Sequence, residues 1–308
     1  ETKKDIINAM MCQALWGDSQ FNWEFLPASN RAGGLLCIWS EEAFKVENKV
    51  LGAGFIFLEG VWVADGTKAI IVNVYSPCEI SLKRILWADI RQLKNVNAGG
   101  LWCVLGDFNN IRRPSERMGI CQRSQDSGVL REFNEWIADL EIDDVPCVGR
   151  SFTWYRPNGT AKSRLDRSLV SAAWLGKWPD TTSFVLARNF SDHCPILLRS
   201  SQIDWGPKPF RVLDCWFQDR SFRKVVSDCW NSNVIRGWGG YVLKEKLKSL
   251  KLKLKAWNKS QFGDVQQKLK NIEAELNRIE TEGDSRILSE DDLKNRKRLQ
   301  EELWAAAL

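Results

Sequence analysis

The first 200 residues are divided into many short apolar runs, and this feature limits the possible folds of the chain most strongly. The runs are rich in Ile, Val, Phe and Trp and are separated by Gly, Asn and Asp, which is typical of strands joined by turns. We predict strands at 21–26, 34–39, 54–63, 69–74, 101–105, 151–155, 165–170, 182–186 and 195–198. Helical periodicity in this region is confined to 6–15, 81–96 and 129–140. Because a doubly wound parallel sheet needs more helices than this, we predict two packed sheets with helices outside.

The character of the sequence changes near residue 200, where we place the end of a first domain at 1–200. Residues 201–240 contain prolines and glycines and are predicted to be a linker with a short helix. Residues 241–308 are predicted to be a helical extension, because apolar residues recur there at alternating steps of four and three. We expect a turn at 283–285 in this extension. Its many lysines form either a solvated helix face or an arm that contacts nucleic acid.

Composition limits the class of protein and its surroundings. The net charge of +5 over 308 residues is compatible with a polyanionic partner but does not establish one. Nine cysteines at irregular spacing, without a Cys-x-x-Cys pair, indicate buried thiols in a reducing, intracellular environment rather than a zinc site. No apolar run approaches the roughly 18–20 residues that are needed to cross a bilayer, so we expect no membrane partner.

Two polar clusters lie beside predicted strands, where loops gather on one rim of a sandwich. Asp107 and Asn109 follow the strand at 101–105, and they can accept a proton from a water and orient that water, or they can form an Asx turn. His193 is the only histidine of the chain and lies at the mouth of the strand at 195–198. It is therefore either a catalyst or a structural group.

Two further polar residues belong to predicted strands. Asp166 is flanked by two arginines, and it either forms a surface ion pair or points inward and holds an imidazole in one tautomer. Tyr75 closes the strand at 69–74, and it either donates a hydrogen bond to a phosphate oxygen or packs against its neighbours. Each signal is weak alone, but the order of the signals along the chain is informative.

The ordered motifs resemble those of the endonuclease/exonuclease/phosphatase superfamily, which includes apurinic/apyrimidinic endonucleases, DNase I-like nucleases and inositol polyphosphate phosphatases. The motifs are Tyr-Ser-Pro at 75–77, Gly-Asp-Phe-Asn at 106–109, Arg-Leu-Asp at 164–166 and Ser-Asp-His-Cys-Pro at 191–195. The resemblance covers about residues 1–199 and implies a DNase I-like, four-layered α/β/β/α sandwich.

Finer features are similar to the endonucleases of plant LINE-type non-LTR retrotransposons. These features are Ser-Phe-Thr-Trp at 151–154 and the stretch at 163–171. Trp-Asn-Lys at 257–259 is similar to the segment that precedes their reverse transcriptase, a region that we expect downstream in a full-length element. The resemblance therefore implies a DNA-nicking endonuclease with DNA as its partner and a nuclear location.

The resemblance also implies roles for the candidate residues in hydrolysis of a phosphodiester bond. Asp107 would act as general base on the attacking water, which Asn109 would orient. His193, oriented by Asp166, would contact a non-bridging phosphate oxygen with the help of Tyr75.

The same resemblance implies a divalent metal, Mg²⁺ or alternatively Mn²⁺, and no small-molecule cofactor. Glu1 and Asp192 would bind this ion. In this family, a first strand that ends in asparagine precedes the glutamate. We therefore expect a domain that is truncated at its N-terminus and lacks its first strand, with weak or no nicking activity.

Other functions remain open from the sequence. A phosphatase or an apurinic/apyrimidinic endonuclease of the same superfamily would use the same phosphate chemistry. A non-catalytic remnant of a retroelement, or a module that only binds nucleic acid, would keep the fold without the activity.

Overall fold

The structure is a computed structural model that describes residues 2–17, 20–29, 32–119, 127–188, 191–200, 210, 212, 214–232, 234–263 and 265–307. The chain divides into two compact units. Unit 1 comprises Glu1–Gln202 and Ile279–Lys294, and unit 2 comprises Ile203–Arg278 and Asn295–Leu308. The predicted boundaries at residues 200 and 240 stay a prediction, and positions 201–209 of the predicted linker lie outside the described residues.

The described residues form strands and helices with the following bounds. The strands are β1 (Asn22–Ser29), β2 (Ala32–Trp39), β3 (Phe44–Gly52), β4 (Phe55–Trp62), β5 (Thr67–Tyr75), β6 (Leu101–Asp107), β7 (Arg117–Gly119), β8 (Ile142–Asp144), β9 (Cys147–Gly149), β10 (Trp154–Tyr155), β11 (Ala161–Ser163), β12 (Asp166–Ser171), β13 (Thr182–Val185) and β14 (Ile196–Arg199). The helices are α1 (Ala9–Trp16), α2 (Ile80–Val96), α3 (Ser127–Asp139), α4 (Ala172–Lys177), α5 (Phe222–Ser232), α6 (Gly239–Phe262), α7 (Val265–Ser285) and α8 (Glu290–Ala307).

A six-stranded sheet with the order β3-β4-β5-β6-β12-β8 forms the centre of unit 1. Its strands β5 and β6 run parallel and are joined by α2, whereas the other neighbours are antiparallel. Smaller sheets have the orders β1-β2, β14-β13-β9 and β10-β11-β7. The parallel pair β5 and β6 brings the ends of both strands to the same edge of the central sheet.

Each face of the central sheet carries a buried apolar cluster. On one face, Phe57 and Val104 belong to a buried cluster with residues of α2 and α3, such as Trp87 and Trp136. On the other face, alternate strand residues belong to a second cluster with residues of β2 and α4; its members include Leu35, Ile56, Cys103, Val170 and Trp174. Because successive side chains of a strand point to opposite faces, adjacent residues serve the two clusters. The predicted α/β/β/α sandwich is confirmed, as are helices towards the C-terminal end.

Side-chain caps mark where two of the helices, α1 and α4, begin. Asn8 precedes α1, and its side chain accepts a hydrogen bond from the backbone N–H of Met11. Ser171 precedes α4, and its side chain accepts from the N–H of Trp174 in the same way. None of the helices within the described part of the chain combines the length and the apolar character of a membrane-crossing segment.

The structure differs from the predicted elements in two informative places. β3 was absent from the predicted strands, because its apolar residues alternate with charged ones and most of its side chains are not buried. The turn predicted at 283–285 is wrong, since α7 continues to Ser285. Gly283 stands inside this helix, where a Cβ would lie 3.2 Å from Cγ of Leu288, so the glycine makes room for a packed leucine rather than ending the helix.

Unit 2 has its own apolar core. Trp216, Phe222, Leu254 and Trp257 form a buried cluster, and the indole N–H of Trp257 donates to the side chain of Ser221. The opposite side of α6 carries exposed lysines at spacings of four, seven and four residues, which places them on one helix face. These lysines are Lys244, Lys248, Lys255 and Lys259.

Candidate active site

Three neighbouring strands of the central sheet place polar side chains side by side. Asp107 is the last residue of β6, and its register partners are Tyr75 on parallel β5 and Asp166 on antiparallel β12. Partners in register direct their side chains to the same face of a sheet. Three residues from distant parts of the sequence therefore meet at one edge because the strand pairing aligns them.

The glycine before Asp107 is required by the close approach of β5. Gly106 has φ of +136°, which disfavours residues with a side chain. A Cβ at this position would lie 2.0 Å from the carbonyl oxygen of Val74, so any side chain would force the two strands apart. Gly106 is therefore required by the backbone geometry, and of this Gly-Asp pair only Asp107 is available for chemistry.

Asp107 and Asn109 form a tight local hydrogen-bonded unit. The backbone N–H of Asn109 donates to Oδ1 of Asp107 over 2.8 Å, so the Asx turn that the sequence allowed is present. The side-chain amide of Asn109 donates to Oδ2 of Asp107 and to the carbonyl oxygen of Ser76. These bonds use both hydrogens of the amide, so Asn109 could contact a water only through its amide oxygen, which would accept a hydrogen bond from that water.

His193 lies between two carboxylates. Its Nδ1 is 2.9 Å from Oδ2 of Asp166, and its Nε2 is 3.9 Å from Oδ2 of Asp107. Its backbone N–H donates to the hydroxyl of Ser191, and the residue pairs with Trp154 in an isolated β-bridge. Because Asp166 accepts at Nδ1, the imidazole is held in one orientation with Nε2 directed towards Asp107.

The electrostatics of the cluster favour proton transfer and donation. Burial raises the pKa of Asp107 to about 6, and the charge of Asp166 adds to this effect, while His193 and the N–H of Asn109 oppose it. Burial lowers the pKa of His193, but the hydrogen bond with Asp166 and the charges of Asp166, Asp107 and Asp192 outweigh burial and raise this pKa above its ordinary value. At neutral pH, the Asp107 carboxylate can accept a proton, and the imidazole keeps its proton more readily than a free histidine.

Lys83 of α2 supports the loop that carries Asn109, and the sequence analysis did not identify it. The residue is 2% exposed, and its ammonium group donates to the backbone oxygens of Phe108 (3.2 Å) and Asn109 (2.6 Å). Burial lowers the pKa of Lys83 to about 8. A lysine in the first turn of an amphipathic helix normally suggests a solvated position, so no local signal distinguishes Lys83.

Thr153 positions the segment that begins at Asp166, and it was also missed. It is fully buried, and its hydroxyl oxygen accepts from the backbone N–H groups of Leu165 and Asp166, both over 2.9 Å. Its carbonyl oxygen accepts from the N–H of Cys194, the residue after His193. The Ser-Phe-Thr-Trp motif at 151–154 was a signal for this role, although the resemblance gave it no function.

The remaining predicted site residues have different placements. Tyr75 lies beside Asp107 in the sheet. Gly33 lies next to the Tyr75 ring, and a Cβ at Gly33 would be 3.6 Å from Cε1 of Tyr75. Asp192 precedes His193, and its Oδ2 accepts from the indole N–H of Trp154 over 3.0 Å. Glu1 lies outside the described residues. The predicted roles of all three stay predictions.

The described side chains include one group with the spacing of metal ligands. One ligand atom from each of Asp107, Asp166 and His193 lies within 4.8 Å of the others. Two carboxylates and an imidazole are donors that suit a divalent cation. The edge therefore has donors that suit a divalent cation nearby, although the hydrogen bond between His193 and Asp166 already engages two of these three groups.

One family profile and several solved structures are similar to this chain. Residues 4–193 match the sequence profile described as Endonuclease/Exonuclease/phosphatase family. The endonuclease domain of TRAS1, a telomere-specific non-LTR retrotransposon, is 12% identical with a TM-score of 0.46 over 59% of this chain and 81% of that chain. The Xenopus laevis APE2 catalytic domain is 13% identical with a TM-score of 0.42 over 59% of this chain and 76% of that one. Truncated Caenorhabditis elegans TDP2 is 18% identical with a TM-score of 0.39 over 63% and 80%, respectively. No curated protein matches the sequence significantly.

Proposed function

The chain belongs to the endonuclease/exonuclease/phosphatase family, and on that premise we propose that it is a metal-dependent phosphodiesterase that nicks DNA. Members of this family typically hydrolyse phosphate esters. The observation that carries the proposal is the position of His193, whose ring lies between the carboxylates of Asp166 and Asp107. A purely structural histidine would not need two acids at a strand edge where a third polar side chain, Tyr75, also ends its strand.

In this proposal, Asp107 is the general base. Its carboxylate is held by two donors of Asn109 and is ionised at neutral pH, so it can take the proton of an attacking water. The amide oxygen of Asn109 contacts the same water. The rigid Asx turn keeps the base in one place, which lowers the cost of reaching the reactive geometry.

His193 stabilises charge on the phosphate. Asp166 fixes its orientation and raises its pKa, so the proton on Nε2 is available to a non-bridging phosphate oxygen. Tyr75 donates a second hydrogen bond from the adjacent strand. These donors act where negative charge develops, and such donors accelerate a reaction more than contacts with the substrate elsewhere do.

We propose that Asp192 and Glu1 bind the divalent ion, Mg²⁺ or Mn²⁺. When bound, such an ion neutralises charge on the phosphate and on the leaving oxygen. Asp192 has its Oδ2 tied to Trp154, which orients its carboxylate group.

DNA and a LINE-type retroelement are the finer part of the proposal. The support for them is the similarity of the motifs at 151–154 and 163–171 to those of plant LINE-type endonucleases. A basic chain with a lysine face on α6 is also compatible with a polyanionic substrate. A nuclear location follows from that substrate, and a reverse transcriptase would be the functional partner in the complete element.

Nicking of supercoiled plasmid tests this function. With Mg²⁺ or Mn²⁺ and plasmid in excess over protein, we expect nicking that EDTA abolishes. His193→Ala and Asp107→Asn should each reduce the rate by at least about 10², whereas Glu41→Gln, an exposed carboxylate outside the cluster, should leave it unchanged.

Two outcomes would contradict the proposal. Nicking that persists in both variants would remove the cluster from the chemistry. Release of phosphate from an inositol polyphosphate, without cleavage of DNA, would instead assign the same cluster to a phosphatase.

A further inference from the structure

A buried acidic residue from the C-terminal part of unit 1 joins two buried arginines. Oε2 of Glu280 lies 2.8 Å from Nη1 of Arg150, and Oε1 lies 2.8 Å from Nε of Arg188. The three side chains are only 3–6% exposed. A buried arginine without a carboxylate would be strongly unfavourable, so Glu280 is required by both partners.

Tyr155 extends this cluster on the same side. Its hydroxyl group donates to Oδ1 of Asp284 over 2.6 Å. The guanidinium group of Arg188 lies over its ring, 4.4 Å from the ring centre. Two arginines and two carboxylates therefore belong to one cluster with Tyr155, and their formal charges cancel.

The cluster is directly connected to the segment that carries the imidazole. The backbone N–H of Tyr155 donates to the carbonyl oxygen of Asp192 over 2.9 Å, and the indole of Trp154 donates to the Asp192 carboxylate. Trp154 also forms the β-bridge with His193. Strand β10 thus contacts the buried cluster through the Tyr155 side chain, and it also contacts the backbone of residues 192 and 193.

A second contact fixes the same C-terminal segment. Leu293 packs against Gly159, where an added Cβ would lie 2.4 Å from Cδ2 of the leucine. Residues 279–294 therefore contact the neighbourhood of β10 through both charged and apolar groups. The family profile ends at residue 193 and does not include them.

We infer that Glu280 and Asp284 are positioning residues for His193, and that the nuclease unit is incomplete without residues 279–294. They act through Arg150, Arg188 and Tyr155, and they touch neither substrate nor metal. The effect on catalysis rests on the proposed function. The effect on the position of His193 does not, and it can be measured separately.

The single histidine of the chain makes this measurement direct. In protein labelled with ¹⁵N-histidine, the ring signals of His193 are the only histidine signals. We expect Glu280→Gln to shift or broaden them and to lower the kcat for plasmid nicking at least tenfold, with KM little changed. Glu275→Gln, on the same helix but with a carboxylate that pairs only at the surface with Arg278, should change neither.

Milder variants protect the test against loss of folding. Should Glu280→Gln fail to fold, Tyr155→Phe and Asp284→Ala each remove the 2.6 Å hydrogen bond while Glu280 still pairs with both arginines. Ring signals and nicking rates that match the wild-type protein in these variants would overturn the inference. Shifted ring signals in a protein that does not nick DNA would support the positioning role and refute the catalytic function.

Discussion

The buried ammonium group of Lys83 should make the stability of this protein rise with pH in the alkaline range. The group is 2% exposed and contacts backbone oxygens of the loop that follows β6. Burial lowers its pKa from 10.5 to about 8. Between these two values, the unfolded chain holds a proton that the folded protein has released. The free energy of unfolding therefore increases as the pH rises through this range. This gain in stability is lost as the pH falls through the pKa of Lys83 in the folded protein.

The size of this effect follows from the difference between the two pKa values. One pKa unit corresponds to about 1.4 kcal/mol, so a difference of 2.5 units corresponds to about 3 kcal/mol in the free energy of unfolding. Most of this change should occur between pH 8 and pH 10. Neutral lysine still has N–H groups for its acceptors, so deprotonation removes the cost of the buried charge without removing the donors.

Lys83→Met isolates this contribution. The free energy of unfolding would be measured by urea denaturation at several values between pH 7 and pH 10.5, with a reducing agent to protect the thiols. The difference between wild type and Lys83→Met should grow in favour of the wild type by about 2–3 kcal/mol over that range. Lys45→Met, at an exposed lysine of β3, is the matched control. A difference that stays constant with pH would refute the proposed burial of a charged Lys83.

Two further predictions concern the support of the site and the surface of unit 2. Thr153→Val leaves the buried N–H groups of Leu165 and Asp166 without an acceptor, so it should cost about 2–4 kcal/mol in urea denaturation and reduce nicking, whereas Thr153→Ser should retain most of both. Replacing the four lysines on one face of α6, at 244, 248, 255 and 259, with glutamine should reduce the magnitude of the slope of log K against log salt for duplex DNA by about 3–4, measured without divalent metal. An unchanged slope would indicate a solvated face that does not contact DNA.

The sequence predicted the position of the cluster because each of its residues stands at or beside the end of a strand. Asp107 follows an uninterrupted apolar run, and Asp166 begins another. Alternation and turn residues are local properties, and they are sufficient to locate strand ends. Pairing in register then brings the two carboxylates together. The strand order itself could not be read from local patterns, since β12 lies between β6 and β8 and not beside its neighbours in sequence.

The supporting residues could not be predicted for a related reason. Lys83 and Thr153 look ordinary in sequence, one on a helix and one in a short strand-like run. What distinguishes them is that they bond to backbone groups, the carbonyl oxygens after β6 and the N–H groups at the start of β12. Backbone groups are the same at every residue, so no residue type at the partner position can indicate the contact.

The role of Glu280 was even less predictable from the sequence. The periodicity of α7 predicted an apolar seam, and Ile272, Leu276 and Ile279 of that seam are buried. The pattern indicates that one face of α7 is buried, but it does not indicate which residues pack against that face. Glu280 lies next to the seam and pairs with Arg150, 130 residues earlier in the chain. A charged residue beside an apolar seam is normally assigned to solvent, so its burial depends entirely on the two arginines that unit 1 provides. If Glu280 holds these arginines as we infer, a change in the C-terminal segment will alter the imidazole even though no catalytic residue has been touched.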